Sequence, residues 1–479
     1  MRRPAPLRVL CYAVNGLGLG HLTRLVAVCR QLRRLATALE LPVEILFLTS
    51  SEGDALASLH GFATFKVPSK TLAASCGLDP HRYRKIARQW IWNAINLISP
   101  DLLLVDTFPA GSFGELTGVL DLGSRNVFIH REVRPEVASH PSFQMALRGY
   151  DLILRIREEA HPAEPPEDAA LPGEVRDRVA TIGPVLLRSA SETYEPPAAR
   201  ELLGLPPELP AVYVSTGGGG DREAESLLGD IVRAATTLPD ARFIIGAGLL
   251  YRGREWPAPN VTWTRRPVLV ECFRAFDAAI TAGGFNTVWE LMHCGVPCLF
   301  LPRPRGWDDQ EQRAARCAAA GAGKLLASRE PAAIREALQE LLDPQQRERS
   351  AAAARSLLPL NDAPAAAEEI LSVVVDRARV EKAALLLDAG TLFESEQAGI
   401  PESDLLRVAA VIAARTDAET TAETAEDALE AARRLLRLVT DHGGGVRQAL
   451  TALKKVERRP DAEQVYARAV EYWEEGREL

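Results

Sequence analysis

Residues Ala279–Arg303, AITAGGFNTVWELMHCGVPCLFLPR, decide the fold. Ala278, Ala279 and Ile280 form the apolar end of a strand. Gly283 and Gly284 then permit a tight turn and a close backbone approach. Asn286 or Thr287 is placed to cap a helix, and Glu290 stands where a capping box would put it. Gly295 stops that helix, Pro297 follows, and Leu299–Leu301 restores a buried strand. A strand feeding a glycine turn and a helix start makes an anion site, because unpaired N–H groups and the helix dipole face the ligand. Glycines of this kind also serve packing, so both uses stay open for the stretch taken alone.

Working outward, the same pattern recurs twice. Near the start, the apolar run Leu7–Val14 leads into Gly16, Gly18, Gly20 and His21, and a helix follows from about Leu22 to Leu39. This loop lacks the acid that would hold a dinucleotide's ribose, so it reads as facing phosphate or substrate. His21 sits at the carboxyl end of the first strand, where open α/β sheets bind ligands, and at a helix start, which favours a neutral imidazole. That makes it a candidate general base, with a structural capping role as the alternative. The run Asp101–Val105 ends in Asp106 at the same edge, where a carboxylate would orient His21 or cap the next helix. His130, Arg131 and Arg134 follow another strand and are candidates for holding an acceptor.

After a polar, proline-bearing linker (Ser189–Pro197), the strand Ala211–Ser215 runs into Gly217, Gly218, Gly219 and Gly220. Four glycines in a row cost conformational entropy, which a phosphate-cradling turn would explain. Downstream of the opening stretch, Asp309 and Gln310 lie in a loop before a helix and are suited to bonding sugar hydroxyls. His293, Cys294 and Cys298 cluster in sequence without a second ligand group, so no metal site is expected. From about residue 380 the strands and glycine turns give way to amphipathic helices rich in Ala, Glu, Arg and Leu.

The 479 residues suffice for two or three domains, and 47% hydrophobic with 25% charged residues is an ordinary globular composition. A formal net charge of -8 argues against a general nucleic-acid binder. The scattered seven cysteines fit a reducing cytoplasm, and no apolar run is long enough to span a bilayer.

The constellation resembles the GT-B glycosyltransferases, and within them the MurG-like group, over roughly residues 7 to 375. The resemblance implies an α/β fold of two Rossmann-like domains facing across a cleft, 1–185 on the acceptor side and 186–375 on the donor side, with 376–479 as an all-α extension. It implies an inverting, metal-independent transfer of a sugar from a nucleotide-diphosphate donor, UDP-linked, to an acceptor hydroxyl of unknown identity. Carried over by position, Gly18, Gly20 and His21 match the N-terminal loop and base, and Ser215 with Gly217, Gly218 and Gly219 matches a loop beside the phosphates. Gly283 and Gly284, before Asn286 and Thr287, match the diphosphate turn; Glu290 matches the ribose acid, and Asp309 with Gln310 the pair at the donor sugar. The turn Thr281–Asn286 departs from the family's usual one, and the last hundred residues have no counterpart there. Two other readings fit the same loops: a nucleotide-sugar hydrolase or 2-epimerase, and a non-catalytic adaptor whose helical tail binds a protein partner.

Overall fold

The computed structural model describes residues 5–14, 18–131, 133, 135–158, 171–219, 222–248, 250–266, 268–303, 308–358, 360–392, 402–417, 421–441 and 445–475. Its residues fall into two compact units, 8–28 with 45–366, and 1–7 with 29–44 and 367–479.

Thirteen strands make two sheets among the described residues. The first sheet holds β1 (Leu7–Ala13), β2 (Val43–Thr49), β3 (Ala63–Lys66), β4 (Leu102–Asp106), β5 (Arg125–Arg131), β6 (Leu152–Ile156) and β7 (Val179–Ile182), in the order β3-β2-β1-β4-β5-β6-β7. The second holds β8 (Ala211–Ser215), β9 (Arg242–Gly246), β10 (Val261–Thr264), β11 (Ala278–Thr281), β12 (Cys298–Phe300) and β13 (Gly323–Leu325), in the order β10-β9-β8-β11-β12-β13. β1 pairs β4 in parallel with Leu10 opposite Leu103, and β8 pairs β11 in parallel with Val214 opposite Ile280. Strands β4 and β8 are buried along their whole length, as parallel strands covered on both faces must be, so they read as unbroken apolar runs. β3 instead alternates exposed and half-buried residues at the sheet edge, and its weak pattern hid it in the sequence.

Both sheets reverse their strand order at one place. In the first it lies between β1 and β4, and in the second between β8 and β11. Loops leaving adjacent strands in opposite directions open a crevice there, the usual ligand position in such sheets. Four of the loops singled out in the sequence follow these four strands; His130 and Arg131 end β5, with Arg134 beyond it, and Asp309 with Gln310 follows β12.

The helix Phe285–His293 begins earlier than its capping pattern suggests. Gly284 is its N-cap, with no side-chain hydrogen bond, and Phe285 is the first helical residue. The capping box expected from Asn286 or Thr287 and Glu290 is therefore absent. Glu290 lies in the buried middle of the helix, beyond reach of the first turn. His293 stitches this helix to its surroundings: Nε2 accepts from the Ala190 N–H at 3.0 Å, and Nδ1 lies 3.0 Å from the Leu358 carbonyl.

The other unit contains helices Arg377–Leu392, Glu402–Arg415, Ala422–Asp441, Val446–Lys455 and Ala462–Glu475. Leu406, Ile412, Leu435, Val439, Leu453 and Val465 meet in one core, which explains the helical spacing of Leu and Ala in this region. Among the described residues no helix is long and apolar enough to cross a membrane.

Candidate active site

A cavity of about 620 Å³ lies where the loops of the two sheets converge. Its wall from the first sheet includes Gly18, Gly20, His21, Arg24, Phe108 and Arg131. Its wall from the second includes Ser215, Gly217, Gly218, Gly219, Gly284, Asn286, Thr287, Glu290, Asp308 and Gln310.

His21 is the second residue of the helix Gly20–Ala38, and Asp106 is the last of β4. The switch point between β1 and β4 brings them together, with His21 Nδ1 2.6 Å from Asp106 Oδ1. Asp106 is fully buried. Arg24, one helical turn beyond His21, donates from Nε to Asp106 Oδ2 at 2.7 Å and from Nη2 to Oδ1 at 2.8 Å. Thr107 Oγ1 adds a hydrogen bond to Oδ1 at 2.6 Å. Burial alone would push the Asp106 carboxyl up, but the Arg24 guanidinium and the His21 hydrogen bond outweigh it and hold it well below the usual carboxylate range. An ionised Asp106 can only accept, so Nδ1 of His21 carries the proton and Nε2 keeps its lone pair. Burial lowers the His21 pKa despite the pull of Asp106, with Arg24 and Arg131 assisting, so the imidazole is neutral at neutral pH. Thr107 holds a left-handed backbone, φ 62°, at the centre of this cluster. Strain of about 1–3 kcal/mol in such a residue persists only where the surroundings over-determine it, as Arg24, Asp106 and the Ile129 carbonyl do here.

The second wall is built from backbone. Gly283 has φ 85°, and a Cβ there would come within 3.0 Å of the Gln310 carbonyl oxygen. This turn aims the start of the helix Phe285–His293 at the cavity. Its first N–H groups have no side-chain cap, so the positive end of the helix faces the empty space. In the other turn, Ser215 Oγ accepts from the Gly217 N–H at 3.2 Å. Gly219 has φ 81°, and a Cβ on it would stand 2.3 Å from the Ala247 carbonyl oxygen. Gly217, at φ 96°, would meet nothing within 4 Å. The glycine run thus serves two needs: Gly219 lets two loops touch, and Gly217 supplies a backbone angle. Gly219→Ala should therefore cost more stability than Gly217→Ala, whose penalty is limited to about 1–2 kcal/mol for the left-handed angle. Thermal melts of the two variants check the order.

Glu290 is buried and lines the cavity. Burial raises its carboxyl to about 8, against the opposing influence of a hydrogen bond from the Leu187 backbone and of Arg188. Tyr213 beside it is pushed up to about 12, mainly by burial. The raised Glu290 value fixes a sign. The protonated carboxyl is favoured in the folded state, so its contribution to stability is complete below about 4.5 and is lost as pH climbs through about 8. Glu290→Gln should remove this dependence. The fall in melting temperature between pH 5 and pH 9 should be smaller in the variant than in the parent, by an amount corresponding to a few kcal/mol.

Arginines form the third component. Arg24, Arg131 and Arg313 stand 5.7, 5.7 and 5.4 Å from the centre of the Phe285 ring. Arg131 Nη1 donates to Asp308 Oδ1 at 2.7 Å. Arg313 donates to Asp308 at 2.8 Å, to the Gly283 carbonyl at 2.7 Å and from Nε to Glu158 at 3.0 Å. Arg316 also pairs with Glu158. Asp308, with Arg131 and Arg313 outweighing its burial, is held at about 2.

Two sequence expectations change place. Asp309 does not line the cavity: it is exposed, and its carboxylate caps the helix Gln310–Ala319 by accepting from the Gln312 N–H at 3.0 Å. Asp308 takes the lining position instead, beside the buried Gln310. His130 does not line the cavity either. It is buried between Phe128 and Phe143, ring centres 5.6 and 5.7 Å away, and burial lowers its pKa to about 4. Strand alternation explains this, since neighbouring side chains of β5 point to opposite faces and Arg131 takes the cavity side. Arg134 lies outside the described residues, as do Gly16 and Gly220. The sequence reading missed Arg24, Asp308 and Arg313. Arg24 left a trace, being a charged residue three positions after His21 on a helix otherwise buried at Leu22, Leu25 and Val26.

Two parallel sheets, each with one reversal of strand order, and a cavity where their loops converge are the arrangement of the GT-B fold. The kitacinnamycin glycotransferase structure superposes with a TM-score of 0.52 over 77% of this chain and 99% of that one, at 18% identity, which is a likeness of fold. Within that fold class the chain resembles the MurG-like group: residues 266–370 match the glycosyltransferase family 28 C-terminal domain. A Corynebacterium jeikeium UDP-N-acetylglucosamine–N-acetylmuramyl-(pentapeptide) pyrophosphoryl-undecaprenol N-acetylglucosamine transferase is 33% identical over 140 residues, 27% of this chain and 36% of that relative. The Nocardia farcinica enzyme of the same name is 26% identical over 329 residues, 64% of this chain and 80% of that relative. The chain thus spans about a third of the first of these curated relatives and four-fifths of the second.

Proposed function

We propose that the protein transfers a sugar from a nucleotide-diphosphate donor, UDP-linked, to an acceptor hydroxyl, with inversion and without a metal ion. The observation that carries this reading is the position of the His21–Asp106 pair on the same cavity as the uncapped helix start at Gly284. The neutral Nε2 of His21 takes the acceptor proton as its oxygen attacks the anomeric carbon. The leaving diphosphate gains negative charge. Backbone N–H groups at Gly284–Asn286 and the Arg131 guanidinium meet that charge in place of a divalent cation. Glu290 holds the ribose hydroxyls. Attack opposite the leaving group gives inversion. The relatives named above are N-acetylglucosamine transferases that use a UDP donor, which supports the same donor class here.

The test is a panel of UDP- and TDP-sugars with the full chain. Thermal shift reads binding; mass spectrometry reads whether product is a glycoside, a free sugar or an epimerised donor. A donor that shifts the melt and yields glycoside even in EDTA supports the reading. Quantitative hydrolysis or epimerisation with acceptor present overturns transfer, and loss of turnover in EDTA overturns metal independence.

A further inference from the structure

A second cavity, of about 180 Å³, opens at the carboxyl edge of the first sheet. Its apolar lining is Val14 after β1, Val67 after β3, Ile91 on the helix Pro80–Ile98, and Phe108 and Phe113 after β4. Several of the polar groups beside them are already engaged. The Tyr12 hydroxyl donates to Glu115 at 2.6 Å, Tyr83 to the Pro68 carbonyl at 2.7 Å, and Thr49 to the Ala13 carbonyl at 2.7 Å. Glu115 also receives the N–H groups of Ser112 and Phe113, each at 2.8 Å. What remains for a ligand is aromatic and aliphatic surface together with the side chains of Ser50, Thr71 and Ser112. One charge stands at the rim: exposed Lys70, whose Nζ reaches the Ser112 carbonyl at 2.9 Å and lies 5.5 Å from the centre of the Phe113 ring.

Size narrows the occupant. An apolar cavity of roughly 150 Å³ accepts one benzene ring. Position narrows its role. Phe108 lines both cavities, and its ring centre is 5.4 Å from that of His21. Phe108 is therefore the wall that a ring seated here would share with the imidazole.

We propose that this cavity is the acceptor subsite, and that the acceptor is a hydroxyl-bearing molecule anchored by a single aromatic ring, with an anionic substituent for Lys70. The acceptor role rests on the glycosyltransferase reading; the aryl site does not. In the transfer the acceptor oxygen forms its bond to the anomeric carbon as the bond from that carbon to the diphosphate oxygen breaks. The electron pair leaves on the diphosphate, and the acceptor proton goes to Nε2 of His21. This also moves acceptor recognition from the end of β5, where His130 is enclosed by phenylalanines, to the ends of β1 and β3.

The test is saturation-transfer NMR on the full chain with 4-hydroxybenzoate and p-cresol, and with methyl glucoside and 1-octanol as polar and chain-like comparisons. Both aryl probes should bind, and the signal should vanish in Val67→Phe and in Ile91→Trp, which fill the cavity. Lys70→Glu should weaken 4-hydroxybenzoate by about fivefold, the worth of an exposed ion pair, and spare p-cresol. Thermal melts of the same variants show whether each is folded; a variant that no longer melts cooperatively is replaced by its partner. Aryl binding that survives both filled variants, or 1-octanol or methyl glucoside binding more tightly at this position, overturns the proposal. Aryl binding with no UDP- or TDP-sugar bound leaves the aryl site standing and sinks the transferase reading; donor binding without aryl binding does the reverse.

Discussion

With alanine at position 21, transfer should fall by about 10²–10⁴-fold, the usual worth of a positioned general base, while UDP affinity stays unchanged. Apart from Arg131, the groups proposed for the nucleotide come from the other sheet, so kcat and donor affinity should separate. The pH profile should carry the same signature. Burial lowers the His21 pKa, so the base remains deprotonated below the ordinary histidine value. The acid limb of kcat/KM should therefore lie below about 6.5, and activity should be flat across neutrality on that side. Asp106→Asn would change two things at once. It replaces an acceptor-only carboxylate with an amide that can also donate, so the Nδ1–H tautomer is no longer fixed, and it leaves the buried Arg24 guanidinium without its carboxylate. Its activity should drop and its stability should drop with it, whereas His21→Ala should be close to the parent in a melt. Full acceptor-dependent turnover by His21→Ala would overturn the assignment.

Arg313→Met should lower the free energy of unfolding by about 3–5 kcal/mol, read from denaturant titration. Arg313 is only 2% exposed and serves three acceptors: Glu158 after β6, Asp308 before its own helix, and the Gly283 carbonyl in the second glycine turn. Removing it leaves Glu158 buried with Arg316 as its remaining guanidinium and strips Gly283 of a hydrogen bond. The cost comes mostly from stranded charge. Combining it with Glu158→Gln should therefore recover part of the loss, a coupling that a double-mutant cycle measures. A single-variant loss below about 1 kcal/mol would mean that the network behaves like an exposed surface pair.

Much of this was legible before any coordinates, and for definite reasons. Parallel strands buried on both faces write themselves as apolar runs, and the glycines after β1, β8 and β11 mark where the backbone must turn sharply. Asp106 and His21 could be referred to one edge because each closes or follows such a run. The second level was hidden. An arginine on a helix looks alike in sequence whether it meets water or a buried carboxylate, so Arg24 and Arg313 carried little signal. Asp308 and Asp309 are adjacent acids, and only the helix start chooses which one caps and which one faces inward. The capping pattern at Thr287 was misleading because Gly284 opens the helix without any side-chain cap, leaving that end to the cavity.

The ties across the cavity are unequal. Near Phe285, Arg131 and Arg313 join the first sheet's loops to the second's through ionic pairs at Asp308 and Glu158. At the mouth, Asn286 Nδ2 reaches the Gly20 carbonyl at 3.2 Å, a neutral bond worth about 1 kcal/mol. A lever with one firm end and one weak end turns about the firm one. Widening the mouth would break the Asn286 bond first and carry Gly20, with His21 next to it, away from the turn at Gly284.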